Sequence, residues 1–597
     1  MCGINGFNWP DENVVKKMNL AVMNRGPDGD GFYVDFSVSL GHRRLAIIDL
    51  SEKGKQPMCN EDGSIWLTYN GEIYNFNSIK KDLINKGHIF KSTTDSEVII
   101  HAYEEYGIDC TKRFNGMWAF CIYDKKQKKF ILSRDRFGIK PLYYYIDHQF
   151  FIFSSMIAGI MCHNIQTAPN DRALLEYLAF NLEQHAEYTF FDRIFSVTPG
   201  TNLVYELEQK RLTKQRYYNL QPREPQDENT IKDIFTESVK LRTISDVPIG
   251  SCLSGGIDSS AIVCVLDKYL KSQFNTFSLI VPGSPFDESM YIREVGRHTN
   301  IKQYFTTVEA NYFLDEVYDF IESQGEPVRG ISPYAQYRVM KLAHEQGMKV
   351  LLDGQGGDEI FAGYKYYYSF YFYELLKHWH WLTLIKEISS SRSLYSIEML
   401  CFQLMPEWIK HSLWKNFINK WVSNTMLKNI EHTEDPRWKA MSLNEGLKMT
   451  ILLTSLPQLL SLEDKNSMRW SIETRIPFLD FNLVEAAMGC TSNQKLHNAK
   501  TKFIFRRAVK DLLPPLILNR KDKIGFAPPS DELFREPQII SFTRDIIFSE
   551  SFKRRPYWEW EKVNAIFNAH TRGKVNAGDT IWKWINTELW LRLYFSN

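Results

Sequence analysis

The stretch CLSGGIDSSAIV, residues 252–263, constrains this chain more than any other. An apolar strand, VPIGSCL, runs into it, and an apolar helix, DSSAIVCVLDKYL, leaves it. A strand that passes through two glycines straight into a helix is the first half of a βα unit. The same grammar recurs in TFSLIV, read as a strand, and in MKVLLDGQGGDE, read as a strand running into a second glycine loop. Strands alternating with helices build a parallel sheet covered by helices, and from residue 229 onward that α/β architecture is expected. Residues 364–460 read as mostly helical.

The first 200 residues follow a different period. SIWLTYNGEIYNF, MWAFCIYDKKQKKFILSRDR and QFFIFSS are rich in aromatic and β-branched residues, alternate in polarity, and are separated by polar turns. They predict a two-sheet core with few helices. One helix is expected over 95–106, with Asp95 as its N-cap and Glu97 in its first turn. Residues 201–228 read as a polar connection ending in NLQPREPQDENT. At 597 residues the chain is too long for one core, and the expected division is 1–210 and 229–597.

Bulk properties exclude several classes. Lys and Arg number 72 against 71 Asp and Glu, so nothing in the balance calls for a nucleic-acid partner. The nine cysteines are odd in number and irregularly spaced, which favours reduced thiols over a disulfide framework. There is no signal-peptide pattern and no apolar run near the ~20 residues that span a bilayer, so a soluble, cytoplasmic protein with no membrane partner is expected. The histidines of KHWHW (377–381) read as helix-face residues rather than metal ligands.

The two glycine loops carry chemistry. In the first, Gly255 and Gly256 let the backbone approach a ligand closely, and the following helix N-terminus offers free amides to phosphate. Ser254, Ser259 and Ser260 add hydroxyls. No Gly-Lys-Ser/Thr follows, so this is not the common ATP loop. SGGxDS is instead the pattern of pyrophosphate loops, which cleave ATP between the α and β phosphates. The second loop, LLDGQGGDEIFAGY, places Asp353, Gly354, Gln355 and Asp358 at a strand's carboxyl end, where open α/β sheets bind ligands. Acidic residues beside bound pyrophosphate suit Mg²⁺.

The N-terminus, MCGI, carries a second chemistry. If Met1 is removed, Cys2 bears a thiol and an α-amine on one residue, and an amine of pKa near 7.7–8 can take the thiol proton. A glutamine pocket around it needs an anion partner, oxyanion donors and an ammonium acceptor. Arg44, the Asn70–Gly71 pair with Glu72, and Asp95 offer these, and an asparagine amide with a glycine N–H makes an oxyanion hole.

With MCGI, NRGPDGDG, GHRRLAIIDLS, YNGEIYNF, TDSEVI, FNGMWAF, RDRFGIKPLYY, LSGGIDSS, DGQGGDE, ETRIPFLD and KFIFRRAVKDLLP in order, the chain resembles the glutamine-hydrolysing asparagine synthetases. The resemblance implies an N-terminal-nucleophile domain, a four-layered α/β/β/α sandwich, in which Cys2 hydrolyses glutamine with Arg44, Asn70, Gly71, Glu72 and Asp95 as pocket residues. It implies a second domain that adenylates a carboxylate with Mg-ATP and receives ammonia through an internal tunnel. There Leu253 adjoins the adenine, Ser254, Gly255, Gly256, Asp258 and Ser259 form the pyrophosphate loop, Asp258 and Asp358 serve magnesium, and Lys502 meets charge developing on the phosphates. Arg475 and Asp480 read as scaffold. Aspartate is the acceptor the resemblance implies. Gln355 stands where the family often has Glu, Asp353-Gly354 replaces Ser-Gly, FSSMIAGI (153–160) lacks the usual charges, and Asn24 replaces a frequent His. These departures leave open a second acceptor, another carboxylate such as a uronic acid of a surface polysaccharide. A homodimer is the default assembly.

Overall fold

The computed structural model describes residues 1–391, 393–428, 435–520 and 530–595. The first part contains two six-stranded antiparallel sheets. In spatial order the first runs Ile194–Ser196, Tyr143–Ile146, Phe151–Ser154, Gly3–Phe7, Ser39–Arg44, Gly29–Val34. The second runs Arg211–Arg216, Thr201–Glu206, Lys129–Arg134, Gly116–Asp124, Ile65–Ile73, Met58–Cys59. Strand alternation sends Ile4, Leu40 and Phe153 of one sheet against Ala119, Leu132 and Leu203 of the other. Helix Glu12–Ala21 covers the outer face of the first sheet with Val15 and Met18, lying so close that a Cβ on Gly41 would meet the Asn19 side chain. Helices Phe76–Asn85 and Ser96–Tyr106 cover the outer face of the second through Ile79, Leu83, Val98 and Ile99. The result is an α/β/β/α sandwich.

Two expectations need correction. The helices of this part outnumber the expected few, because their polar faces dilute the apolar period that would have shown them. Residues 201–216 are not a connection but a hairpin that extends the second sheet beyond residue 210. Its outer strand, Arg211–Arg216, is an almost wholly exposed edge, and an exposed edge strand reads as a polar linker.

The second part is built on a five-stranded parallel sheet, in order Ile301–Thr306, Phe274–Leu279, Ile249–Cys252, Val350–Leu352, Glu473–Arg475. Helix Ile257–Leu270 follows the central strand as the first glycine loop predicts. Among the described residues the expected helical stretch runs from Tyr367–Lys377 to Ser455–Arg469, residues 392 and 429–434 of it lying outside the described ones, and His378 and His380 fall in the break before helix Trp381–Ser391. The C-terminal helix Gly578–Phe595 buries Trp582, Trp584 and Trp590, and the indoles of Trp582 and Trp590 donate to the carbonyls of Val328 and Gly325. Among the described residues no helix is long and apolar enough to cross a membrane. The cysteines are free thiols.

A charged seam joins the two parts. Arg25 makes a bidentate pair with Asp464 at 2.6 and 3.1 Å, and Lys140 approaches the same carboxylate at 3.4 Å. Asn115 donates to Asp480, and Arg475 lies 3.4 Å from Glu72.

Candidate active sites

The strand Gly3–Phe7 begins one residue after Cys2 and so delivers it to the rim of the first sheet. The Cys2 backbone nitrogen donates to Asn70 Oδ1 at 2.9 Å, which ties the thiol residue to strand Ile65–Ile73 of the other sheet. Asn70 is fully buried, and its Nδ2 has no hydrogen-bond partner among the described residues. A buried amide donor left unpaired costs about 1–3 kcal/mol, so it marks a place built for an acceptor that arrives from outside. Gly71 follows. A Cβ there would strike the Met117 carbonyl oxygen at 2.2 Å, so glycine is needed for the strand to lie this close. Burial pushes the Cys2 thiol above its ordinary pKa, while the neighbouring chain-terminal ammonium, the Leu45 N–H and the Arg44 charge pull it down.

Arg44 ends the strand Ser39–Arg44, and the carbonyls of Ser51 and Asp49 hold its guanidinium. Asp95 is the residue before helix Ser96–Tyr106, but its carboxylate does not cap that helix. It turns inward to accept from Tyr69 Oη and the Ile73 N–H, both at 2.8 Å. Burial pushes it up to about 6. Glu72 is also buried, and burial with the nearby Glu473 and Asp95 charges raises it well above the usual carboxylate range against the pull of Arg475. Arg475 therefore does more than brace its own domain. It holds Glu473 at 2.6 Å, donates to the Arg242 and Ile244 carbonyls, and presents its second face to Glu72 across the seam. Asp480 fits the scaffold reading, since it caps Asn482 and pairs with Arg242.

The second site is a cavity of 1010 Å³ at the carboxyl ends of the parallel strands. Leu253, Ser254, Gly256, Asp258, Ser259, Asp353, Gly354, Gln355, Asp358 and Lys502 line it. Gly255 stands behind the wall. Its φ of +71° is in the left-handed region, and a Cβ would meet Tyr291 at 2.7 Å, so both the turn and the packing demand glycine. The hydroxyls of Ser254 and Ser259 lie 3.1 Å apart, and the Ser254 N–H donates to Ser259. Lys502 bridges the two loops: its ammonium contacts Asp258 and lies 2.7 Å from Asp358. Burial lowers the Lys502 pKa, and Asp258 holds it up. Gly357 and Gly363 permit this closure, because a Cβ at either would overlap Asp258 or Asp358.

Several residues here escape sequence reasoning. Arg520 donates to the Gly255 carbonyl at 3.2 Å and pairs with Glu288, so it braces the loop from behind. Glu463 comes from the distant helix Ser455–Arg469 to meet Asp353 and accepts from Gln336. Burial and the Asp353 charge push Glu463 well above the carboxylate range. No local pattern marks these residues. Arg506, on the cavity wall, does lie in a quoted motif, KFIFRRAVKDLLP.

The chain is similar to known proteins along nearly all its length. A family model described as "Asparagine synthase" matches residues 230–592, and one described as "Glutamine amidotransferase domain" matches residues 1–218. A putative asparagine synthetase (glutamine-hydrolyzing) 2 of Methanocaldococcus jannaschii is 38% identical over 403 residues, 61% of this chain and 76% of its own. Asparagine synthetase (glutamine-hydrolyzing) 1 of Bacillus subtilis is 28% identical over 621 aligned residues, covering 99% of this chain and 96% of its own. Asparagine synthetase (glutamine-hydrolyzing) 3 of the same organism is 28% identical, covering 87% and 86%. Matched over more than half its length by the first model and over its first 218 residues by the second, the chain belongs to the asparagine synthase family and is a glutamine-dependent, ATP-consuming amidotransferase.

Proposed function

We propose that the chain makes asparagine from aspartate, with glutamine as nitrogen donor and Cys2 as the glutaminase nucleophile. Removal of Met1 leaves the Cys2 α-amine where its nitrogen already meets Asn70 Oδ1. One N–H donates there, and the lone pair is left to take the thiol proton. The sulfur then attacks the glutamine amide carbon, the oxyanion lies against Asn70 Nδ2 and the Gly71 N–H, and the amine's proton leaves with ammonia. Water hydrolyses the thioester to glutamate and restores the thiol. Asp95 and Arg44 take the substrate's ammonium and carboxylate. The observation that carries this reading is the buried Asn70 amide, satisfied at Oδ1 by Cys2 and unsatisfied at Nδ2.

In the cavity, Leu253 to Ser259 receive ATP, and the aspartate side-chain carboxylate attacks the α-phosphorus to release pyrophosphate. Ammonia from the first site displaces AMP from the acyl-adenylate. Lys502 meets the charge gathering on the phosphates. Mg²⁺ fits here: Asp258 and Asp358 are buried oxygen donors, and Asp258 Oδ1 has no hydrogen-bond partner among the described residues. When bound, Mg²⁺ supplies positive charge to the pyrophosphate leaving group. Gln355 on the cavity wall cannot accept a proton, so ammonia is deprotonated elsewhere or arrives neutral.

The test is pyrophosphate release with Mg-ATP and glutamine, with and without aspartate, after mass spectrometry has established whether Met1 is present. Aspartate-dependent release with asparagine in equal amount supports the proposal. Glutamate formation without aspartate-dependent pyrophosphate refutes aspartate as the acceptor and directs the search to other carboxylates.

A further inference from the structure

Away from both catalytic sites, on the outer face of the glutaminase sandwich, His88, His101 and Glu104 converge. His101 and Glu104 stand on helix Ser96–Tyr106, three residues apart and therefore on one face. His88 reaches them from the turn after helix Phe76–Asn85. The His88 and His101 Nδ1 atoms are 3.3 Å apart, Glu104 Oε2 is 3.0 Å from His101 Nδ1, and it is 3.7 Å from His88 Nδ1. Donors about 2.0–2.1 Å from a tetrahedral zinc ion lie about 3.3 Å from one another. The three separations match the edges of one face of that tetrahedron.

A hydrogen on His101 Nδ1 serves Glu104 at 3.0 Å and is the one hydrogen shared between that carboxylate and His88 Nδ1 at 3.3 Å. A cation at the centre would take lone pairs from all three atoms at once. The surroundings are those of a metal site as well. His88 Nε2 faces Glu105 Oε2 at 3.4 Å, and His101 Nε2 faces Glu97 at 3.8 Å and Glu61 at 4.0 Å. Each ring thus has a carboxylate behind it, as metal-ligating histidines commonly do. The second oxygen of Glu104 accepts from Asn60 Nδ2 at 2.9 Å, which fixes its orientation and leaves Oε2 for the triangle. His101 is buried, His88 is half-buried and Glu104 is exposed, so the fourth position opens to water.

We propose that His88, His101 and Glu104 bind a first-row divalent cation, zinc by preference, with water as fourth ligand. The ion would clasp the turn at residue 88 to the helix that begins beside Asp95. Between these points Glu97 accepts from Lys91 N, Ser92 N and Ser92 Oγ, so the segment leading to the glutamine pocket is already pinned to this helix. The clasp would therefore stiffen the pocket's outer wall without touching substrate.

The full-length protein, stripped of metal and then titrated with Co²⁺ and with Zn²⁺, tests this. We expect one equivalent per chain and visible d–d bands of tetrahedral Co²⁺ without the near-ultraviolet charge-transfer band of a thiolate ligand. We also expect a thermal midpoint that rises with zinc concentration. His88→Ala, at a half-buried position, and Glu104→Gln, at an exposed one, should abolish the equivalent. Glu105→Gln should weaken it about 10–100-fold. Cys2→Ala should leave it intact. Absence of stoichiometric binding, binding unchanged in His88→Ala and Glu104→Gln, or a thiolate band that disappears in Cys2→Ala would each overturn the proposal.

Discussion

Asn70→Asp is the most direct probe of the first site. The substitution keeps an acceptor 2.9 Å from the Cys2 nitrogen and replaces only the unpartnered Nδ2 donor. If that donor meets the oxyanion, its loss lowers the glutaminase kcat about 10²–10³-fold, or about 3–4 kcal/mol. The new oxygen would also face the developing negative charge, so the upper end of that range is expected. Asn70→Ala removes the acceptor as well and should be no better. Glutamate release at saturating glutamine measures the effect. Pyrophosphate release driven by added ammonia, which bypasses the first site, is the control and should stay within about twofold of the parent. A loss of less than tenfold in Asn70→Asp would show that the oxyanion does not use this amide. A parallel fall in the ammonia-driven reaction would show that Asn70 is structural.

Other substitutions test the remaining geometry. Lys502→Met should cut pyrophosphate release about 10²-fold while sparing glutamate release. It also takes the ammonium away from the buried Asp258 carboxylate, so a lower thermal midpoint is expected, consistent with a loss of about 3–5 kcal/mol. Asp95, raised by burial to about 6, should lose its charge as pH falls below that value, and the glutamine KM should then climb about tenfold per pH unit with little change in kcat. Because the folded pKa is raised above the unfolded one, the same carboxyl makes folding less favourable as pH rises from about 4 to about 6, by about 3 kcal/mol in all. Asp95→Asn should flatten both profiles, and an unchanged KM profile would remove Asp95 from the pocket. Asp464→Ala leaves the buried Arg25 without its bidentate partner and removes one of the counter-charges of Lys140, so chemical denaturation should show a loss of about 3–5 kcal/mol. With the seam weakened, more glutamate should form per pyrophosphate, and an unchanged ratio would mean the seam does not couple the sites.

What could be read from the sequence is what local backbone chemistry forces. The SGGIDSS turn needs glycine at residue 255, where φ is positive, and a helix N-terminus directly after it, so its place between strand and helix was legible in a dozen residues. The parallel sheet followed from repeating that unit, and the two-sheet half followed from strand alternation. The helices of the first half and the hairpin 201–216 are hidden from such a reading, because an exposed face or edge carries no apolar period. Asp95 could be placed at a helix start, yet nothing local says whether its carboxylate caps that helix or turns to Tyr69 and Ile73.

The tertiary structure decided which distant side chains share a buried volume. Lys502 meets Asp258 across 244 residues, Cys2 meets Asn70 across 68, and Arg25 meets Asp464 across 439. Arg475 reads as scaffold within its own segment and becomes a partner of Glu72 only once the two parts dock. His88 and His101 form no spacing that a sequence scan would single out, because one sits in a turn and the other on a helix. Propensity and periodicity act over a few residues, whereas a buried charge is neutralised by whatever the packing brings within about 4 Å. The sequence by itself therefore determined the elements and the two chemistries, and the packing of the elements determined the partners.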